Sequence, residues 1–170
     1  MISEKIAQLL NAQIANEQYA AQYYLSMSAW FHTRDLDGIA NYFRVQSKEE
    51  LMHGEKIFDY ILDVGCEVQM QGIEKPPFEF ENELDVFERA LAHEKLVTKS
   101  IFEIAKVATE ESDFATVSFL QWFINEQVEE ESSASLLVAK IKRVKDNTSA
   151  LYLFDQELAQ RVFVEVPSAK

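Results

Sequence analysis

The sequence is poor in the residues that break helices or staple loops: its 170 residues include only 4 Gly, 3 Pro and 1 Cys. The lone Cys66 excludes an intrachain disulfide and a Cys-rich zinc site. So little Gly and Pro leaves scant material for turns and points to a few long helices. Basic residues are also in deficit, with 16 Lys+Arg against 29 Asp+Glu and a formal net charge of −13. Such a balance argues against a nucleic-acid partner, whose phosphates require a cationic surface. It fits a cationic partner, metal ions among them. No stretch approaches 18 uninterrupted apolar residues, so no transmembrane helix and no membrane partner are expected. The first residues lack the apolar segment of a signal peptide, and the expected compartment is the cytoplasm.

What is present is a chain 48% hydrophobic, long enough for one domain over residues 1–170 with a sizeable core. Its breaks fall at a compact turn over 33–38, with Asp37 read as an N-cap, and at Gly65, read as a helix C-cap. Further breaks are Pro76 and Pro77, residues 110–113 with Ser112 or Asp113 as N-cap, and residues 147–149. These breaks predict helices over about 3–32, 38–64, 83–110 and 114–145, with a short fifth over about 150–161. The main four are each roughly 40 Å long at ~1.5 Å per residue. The first and third connections are short and demand antiparallel hairpins. Residues 65–82 could span roughly 55–60 Å when extended. That favours an all-α four-helix bundle with one long crossover.

Each main helix carries one stripe at alternating three- and four-residue steps, the pattern of a bundle-facing seam. Every stripe is mainly apolar, and each holds a Glu near its middle: Glu17, Glu50, Glu94 and Glu130. His53 follows Glu50 on its stripe, and Gln127 precedes Glu130. No Lys or Arg lies on any of the four. Carboxylates facing one another in a bundle core lose hydration and raise each other's pKa. Their compensating charge has to come from outside the chain, and a pair of divalent cations would supply it, with His53 adding a nitrogen ligand. Spacing sharpens the pattern: Glu17 precedes Glu50 by 33 residues and Glu94 precedes Gln127 by the same 33. The two hairpins superpose with an offset of 77 residues, which also relates Glu49 to Glu126. His32 is read as a partner of the first helix's C-terminal dipole, His93 as surface or lying behind the stripe, Met27 as core, and Trp122 as packing on the wall of the site.

The set Glu17, Glu50 with His53, Glu94, and Gln127 with Glu130 resembles the ferroxidase centre of bacterial non-haem ferritins, and the likeness covers essentially the whole chain. It implies a ferritin-like bundle with a short C-terminal fifth helix. It also implies that Glu17, Glu50 and His53 hold a first iron, with Glu50 bridging, while Glu94, Glu130 and Gln127 hold or adjoin a second. Glu49, Glu126 and Glu129, with Glu130, match a third iron site on the inner side of the pair, and Tyr24 matches a tyrosine beside the centre. Bacterioferritins and rubrerythrins carry Glu-x-x-His in both halves, whereas the second copy here is Gln-x-x-Glu. No haem is expected, because Leu51 stands where the bacterioferritin ligand is a Met. The implied function is iron storage and detoxification, with Fe(II) oxidised by O2 or H2O2 and mineral deposited inside a homo-oligomeric shell of about 24 chains. By the same analogy Glu110, Glu111 and Asp113 sit at a three-fold channel. Donors of hard oxygen plus one imidazole also accept Mn(II) or Zn(II). The alternative is a rubrerythrin-like di-iron oxygenase or peroxidase without mineral storage.

Overall fold

The computed structural model describes residues 2–164, which form five α-helices and no strand. They are α1 (Glu4–His32), α2 (Asp37–Asp63), α3 (Glu83–Glu110), α4 (Phe114–Val144) and α5 (Thr148–Leu158). Four of the five start on a side-chain cap. Ser3 accepts from Ile6 N–H, Asn82 from Asp85 N–H, Asp113 from Thr116 N–H and Asn147 from Ala150 N–H, satisfying donors that the first turn leaves free. The exception corrects the reading of Asp37. Leu36 is the N-cap of α2 and makes no side-chain cap bond, while Asp37 lies inside the first turn. The Asp37 carboxylate instead pairs with His32 Nδ1 at 2.6 Å, closing the α1–α2 turn. Elsewhere in the hairpin turns, Asp35 (φ 58°) and Ser112 (φ 60°) adopt the left-handed conformation. They too are 77 residues apart, so the offset that aligns the carboxylates also aligns the turn geometry.

The connection from α2 to α3 runs along α1. Asn11 receives Gln69 N–H at 2.6 Å and donates to the Glu67 carbonyl at 3.3 Å, and farther along Ser26 donates to the Pro77 carbonyl at 2.6 Å. Fifteen residues of helix separate Asn11 from Ser26, about 22 Å of rise. The crossover therefore travels toward the far end of the bundle and lets α3 start beside the end of α1.

Burial follows the stripes closely in α1, where all eight seam residues from Ile6 to Phe31 are buried. In α3 the buried face is displaced from the stripe: Phe87, Glu94, Ile101 and Ala108 are buried, Leu84, Leu91, Thr98 and Ala105 are only half-buried, and Val86, Ala90, Val97, Ile104 and Val107 are buried beside them. The apolar interior divides into two blocks. One gathers Met27, Phe31, Phe43, Phe87 and Ile141 with Phe154 of α5, and the other Ile6, Leu10, Ile57, Ile101, Leu120 and Phe123. The stripe carboxylates occupy the layer between them.

α5 is docked on α2 by a buried polar contact. The Asp155 side chain, 5% exposed, accepts Ile39 N–H at 2.8 Å, a carboxylate at a helix N-terminus and so favoured by the dipole. This approach requires glycine beneath it, because a Cβ on Gly38 would lie 1.8 Å from the Asp155 carbonyl oxygen. Beyond α5, Asn41 Nδ2 donates to the carbonyls of Ala159 (3.4 Å) and Arg161 (2.9 Å), holding the following segment along α2. Gly38→Ala is expected to displace α5 and cost about 2 kcal/mol or more, as overpacking does. Faster proteolysis near residues 145–149 and a lowered melting temperature would report it, and cleavage as slow as in the parent would contradict the docking.

Candidate metal centre

The layer between the two apolar blocks is built from polar side chains withdrawn from solvent. Glu17 is 1% exposed, Glu50, His53 and Glu94 are 2%, Gln127 is 3% and Glu130 is 7%. Helical spacing places them: Glu50 and His53 are three residues apart on α2, as Gln127 and Glu130 are on α4, so each pair shares a face. Glu17, Glu50 and His53 each offer a donor atom within 4.8 Å of the others. Glu94 and Glu130 complete no second trio of this kind among the described residues, although their charges act on Glu50.

The hydrogen bonds in this layer leave lone pairs free. Gln13 Nε2 donates to Glu17 Oε1 at 2.8 Å, whereas Glu17 Oε2 is buried without a partner. His53 Nδ1 lies 3.2 Å from Glu50 Oε2, while His53 Nε2 is buried and unpartnered. A proton on Nδ1 satisfies Glu50 and leaves a lone pair on Nε2. A proton on Nε2 sets the Nδ1 lone pair against the carboxylate, a juxtaposition that a cation between them resolves. Tyr24 OH donates to Glu94 Oε1, and Gln127 Nε2 donates to Glu94 Oε2 at 3.2 Å. Gln127 also reaches the Glu94 carbonyl and Thr98 Oγ1, both at 3.3 Å. Its amide nitrogen therefore orients Glu94. Gln46 Nε2 donates to Glu130 Oε2 at 3.1 Å.

Electrostatics tell the same story. Burial pushes the carboxyls of Glu17 and Glu50 well above the ordinary carboxylate range, and the next cause is a neighbouring carboxylate, Glu50 for the first and Glu94 for the second. Burial also raises Glu94, against the lowering effect of the Tyr24 and Gln127 hydrogen bonds. Glu130 is pushed up to about 7 by burial and by the Glu94 charge. The free Glu17 oxygen, the Glu50 carboxylate, the neighbouring imidazole and the lack of a protein cation fit a hard divalent cation held by Glu17, Glu50 and His53, with Glu94 and Glu130 close by.

A second group lies beside the first. Glu49, Glu126, Glu129 and Glu130 line a cavity of about 350 Å3, together with Tyr42 and Arg161. Glu130 also lines a small internal void with Tyr24, Gln46 and Glu94, so it stands between the two groups. Glu49 carries an ion pair, its Oε2 being 2.6 Å from Arg161 Nη2.

Other residues find their places around this layer. Trp122 packs edge-on against the His53 ring at 5.4 Å. The His93 ring, behind Glu94, lies within 6.0 Å of Tyr19, Tyr23 and Tyr24, and burial lowers its pKa to about 4. Asp113, read as a channel residue by analogy, spends both oxygens on Thr116, while Glu110 and Glu111 are exposed. The orienting roles of Gln13 and Gln46 and the position of Arg161 were not read from the sequence. Gln13 carried a signal, since it stands one turn before Glu17, whereas Gln46 serves Glu130 across the bundle and its spacing to Glu50 points elsewhere. Arg161 carried none, because it follows α5 and meets α2 only through tertiary packing.

Helical bundle and buried carboxylate layer together define a class, a four-helix protein with a candidate metal site in its core. The ferritin-like domain family matches residues 7–144. The chain is 38% identical to the bacterial non-heme ferritin of Staphylococcus aureus (strain USA300) over 165 residues, covering 97% of this chain and 99% of that protein. Against the Staphylococcus haemolyticus counterpart identity is 39% over the same coverage. Among solved structures, an open-pore ferritin from the archaeon Archaeoglobus fulgidus superposes with a TM-score of 0.94 and 44% identity, covering 95% of this chain and all of that one. The chain belongs to the ferritin family. Among the described residues, no helix is long and apolar enough to cross a membrane.

The raised carboxyls have a consequence for the metal-free protein. A carboxyl whose folded pKa exceeds its unfolded value adds stability that is complete below the unfolded value and is lost as pH rises through the folded one. For Glu130 that window runs from 4.5 to about 7. Metal-free protein is expected to melt lower at about pH 8 than at about pH 5.5, by about 3 °C or more, with saturating Zn(II) abolishing the difference. Calorimetry showing the same melting temperature at both pH values without metal would refute a protonated carboxylate layer.

Proposed function

We propose that this protein stores and detoxifies iron, oxidising Fe(II) at a di-iron ferroxidase centre within each subunit. The observation that carries this reading is the buried trio Glu17, Glu50 and His53, with Glu17 Oε2 unpartnered, in a chain of the ferritin family. Iron is the substrate. Glu17 and His53 bind the first Fe(II), Glu50 bridges, and Glu94 and Glu130 bind the second with Gln127 orienting Glu94. Each Fe(II) gives up one electron. The pair reduces O2 with two protons to H2O2, or cleaves the O–O bond of H2O2 to give two waters with two further protons. Tyr24, donating to Glu94, keeps that carboxylate turned into the site and stands ready as an electron donor. No haem enters the reading, and the compartment proposed is the cytoplasm.

Asymmetry between the two halves favours storage over cyclic oxidation of an organic substrate. An oxygen-only second position without imidazole lets Fe(III) leave toward the inner cavity, where Glu49, Glu126, Glu129 and Glu130 form a third position. Ferric oxyhydroxide then accumulates inside a shell of about 24 chains, whose summed formal charge of about −310 concentrates cations at its surfaces. A rubrerythrin-like oxidase would use similar ligands without a shell, and size-exclusion chromatography separates the two readings, since a monomer or dimer would defeat the storage proposal.

Stopped-flow oxidation of Fe(II) tests the site. Glu50→Ala and His53→Ala are expected to slow the fast phase by about 100-fold or more, at least the upper end of the loss seen when only a ligand's hydrogen-bond partner is removed, while assembly persists. Unaltered kinetics in either variant would overturn the ligand assignment. Glu126→Ala is expected to change the ratio of Fe(II) oxidised to O2 consumed while the first binding event remains. Anaerobic Fe(II) titration giving the same number of sites in Glu126→Ala as in the parent would remove the third position.

A further inference from the structure

We propose that Arg161 is a tethered counter-cation of the inner carboxylate cluster, occupying Glu49 until a metal cation displaces it and so setting the affinity of that cluster. The inference rests on the reading of Glu49, Glu126, Glu129 and Glu130 as an inner cation position. Of these four acids, Glu49 is the one that makes an ion pair among the described residues, with its Oε2 2.6 Å from Arg161 Nη2. Charge-assisted bonds of this kind are about twice as strong as neutral ones. Arg161 lies over the Tyr42 ring at 4.4 Å, and both residues line the same cavity as the four acids. A cation and a guanidinium on the same carboxylate repel each other at close range. Metal binding to Glu49 through that oxygen therefore requires the guanidinium to move.

The backbone beneath Arg161 is held while its side chain is not fully satisfied. Asp155 fixes α5 on α2, and Asn41 Nδ2 grips the Arg161 carbonyl at 2.9 Å. The guanidinium is thus tethered within reach of Glu49. Arg161 Nη1, in contrast, is buried and has no hydrogen-bond partner. An arginine serving only to staple the chain would find acceptors for its donors. This one leaves a donor unused on the wall of an acidic cavity, an arrangement that lowers the cost of swinging away. The other nearby cation, Lys140, is engaged with Glu157 at 2.5 Å. Arg161 is in this sense a positioning residue. It offsets part of the inner cluster's charge when the cluster is empty and makes it a weak, releasing site, which a divalent cation enters by exchange.

Zn(II), which is redox-inert, serves as the probe. Calorimetric titration of the metal-free assembled protein reads affinity without any turnover. Arg161→Gln is expected to tighten the weakest class of Zn(II) sites about tenfold, the scale of one charge-assisted bond, and to leave the tighter class unmoved. Arg161→Lys, which keeps the charge, is expected to stay within about threefold of the parent. Asn41→Ala, which frees the tether and spares the guanidinium, is expected to tighten the same class by a smaller factor. In a Glu49→Gln background, Arg161→Gln is expected to change nothing. If the weak class is present and equally tight in the parent, Arg161→Gln and Asn41→Ala, the proposal is wrong and the inner position stands. If no variant shows a weak class, the inner position itself is wrong and the proposal goes with it.

Discussion

The structure turns on one unbalanced interaction, several carboxylates held together in a helical core that supplies no cation. Glu17, Glu50, Glu94 and Glu130 are each at most 7% exposed, and burial is the largest cause of every upward shift among them. Helices cannot separate to relieve the repulsion, because apolar blocks grip them above and below the polar layer. Such a layer persists by taking up protons or by taking up metal. The fold leaves those two responses and makes them compete, so proton and metal occupancy are linked.

Neutral donors do much of the shaping. Gln13, Gln46 and Gln127 each place an amide nitrogen on a carboxylate oxygen, and Tyr24 places a hydroxyl on Glu94. These groups fix orientation without adding charge: Gln13 leaves Glu17 Oε2 without a partner, whereas Tyr24 and Gln127 engage both oxygens of Glu94. Fixed charge appears only at the margin, where Arg161 meets Glu49. On the proposed reading, this gradation from a cation-free core to a rim with a resident cation is also one from tight to exchangeable sites. Glu130, lining both the internal void and the open cavity, lies where the two regimes meet.

Much of this was legible in the sequence. The scarcity of Gly and Pro, the long segment over 65–82 and the Glu on each stripe pointed to the bundle, its crossover and its polar layer. Helical periodicity is local, so residues 33 apart in register could be matched across a hairpin without coordinates. Less visible were features that depend on where one helix touches another. The buried face of α3 lies to one side of its stripe, toward Val86, Ala90, Val97, Ile104 and Val107, a rotation set by packing against both α1 and α4. Asp37 looked like a cap from its residue type, yet His32 captured its carboxylate across the turn. Arg161 reaches Glu49 across a sequence separation of 112 residues, a contact that no periodicity encodes. Only the docking of α5 through Asp155 creates it.

The division of the interior into two apolar blocks has a consequence for how the two hairpins resemble each other. Apolar blocks demand volume and shape, which many combinations of Leu, Ile, Val and Phe supply, and tolerance to such exchange is high. The layer between them demands particular atoms at particular heights. Turns demand particular backbone angles, as Asp35 and Ser112 show with φ of 58° and 60°. Similarity between the halves is therefore confined to the two places where substitution has no equivalent, the polar waist and the left-handed turn. The 77-residue correspondence works like the registration marks on two printed sheets: everything between the marks is free to differ, provided the marks coincide.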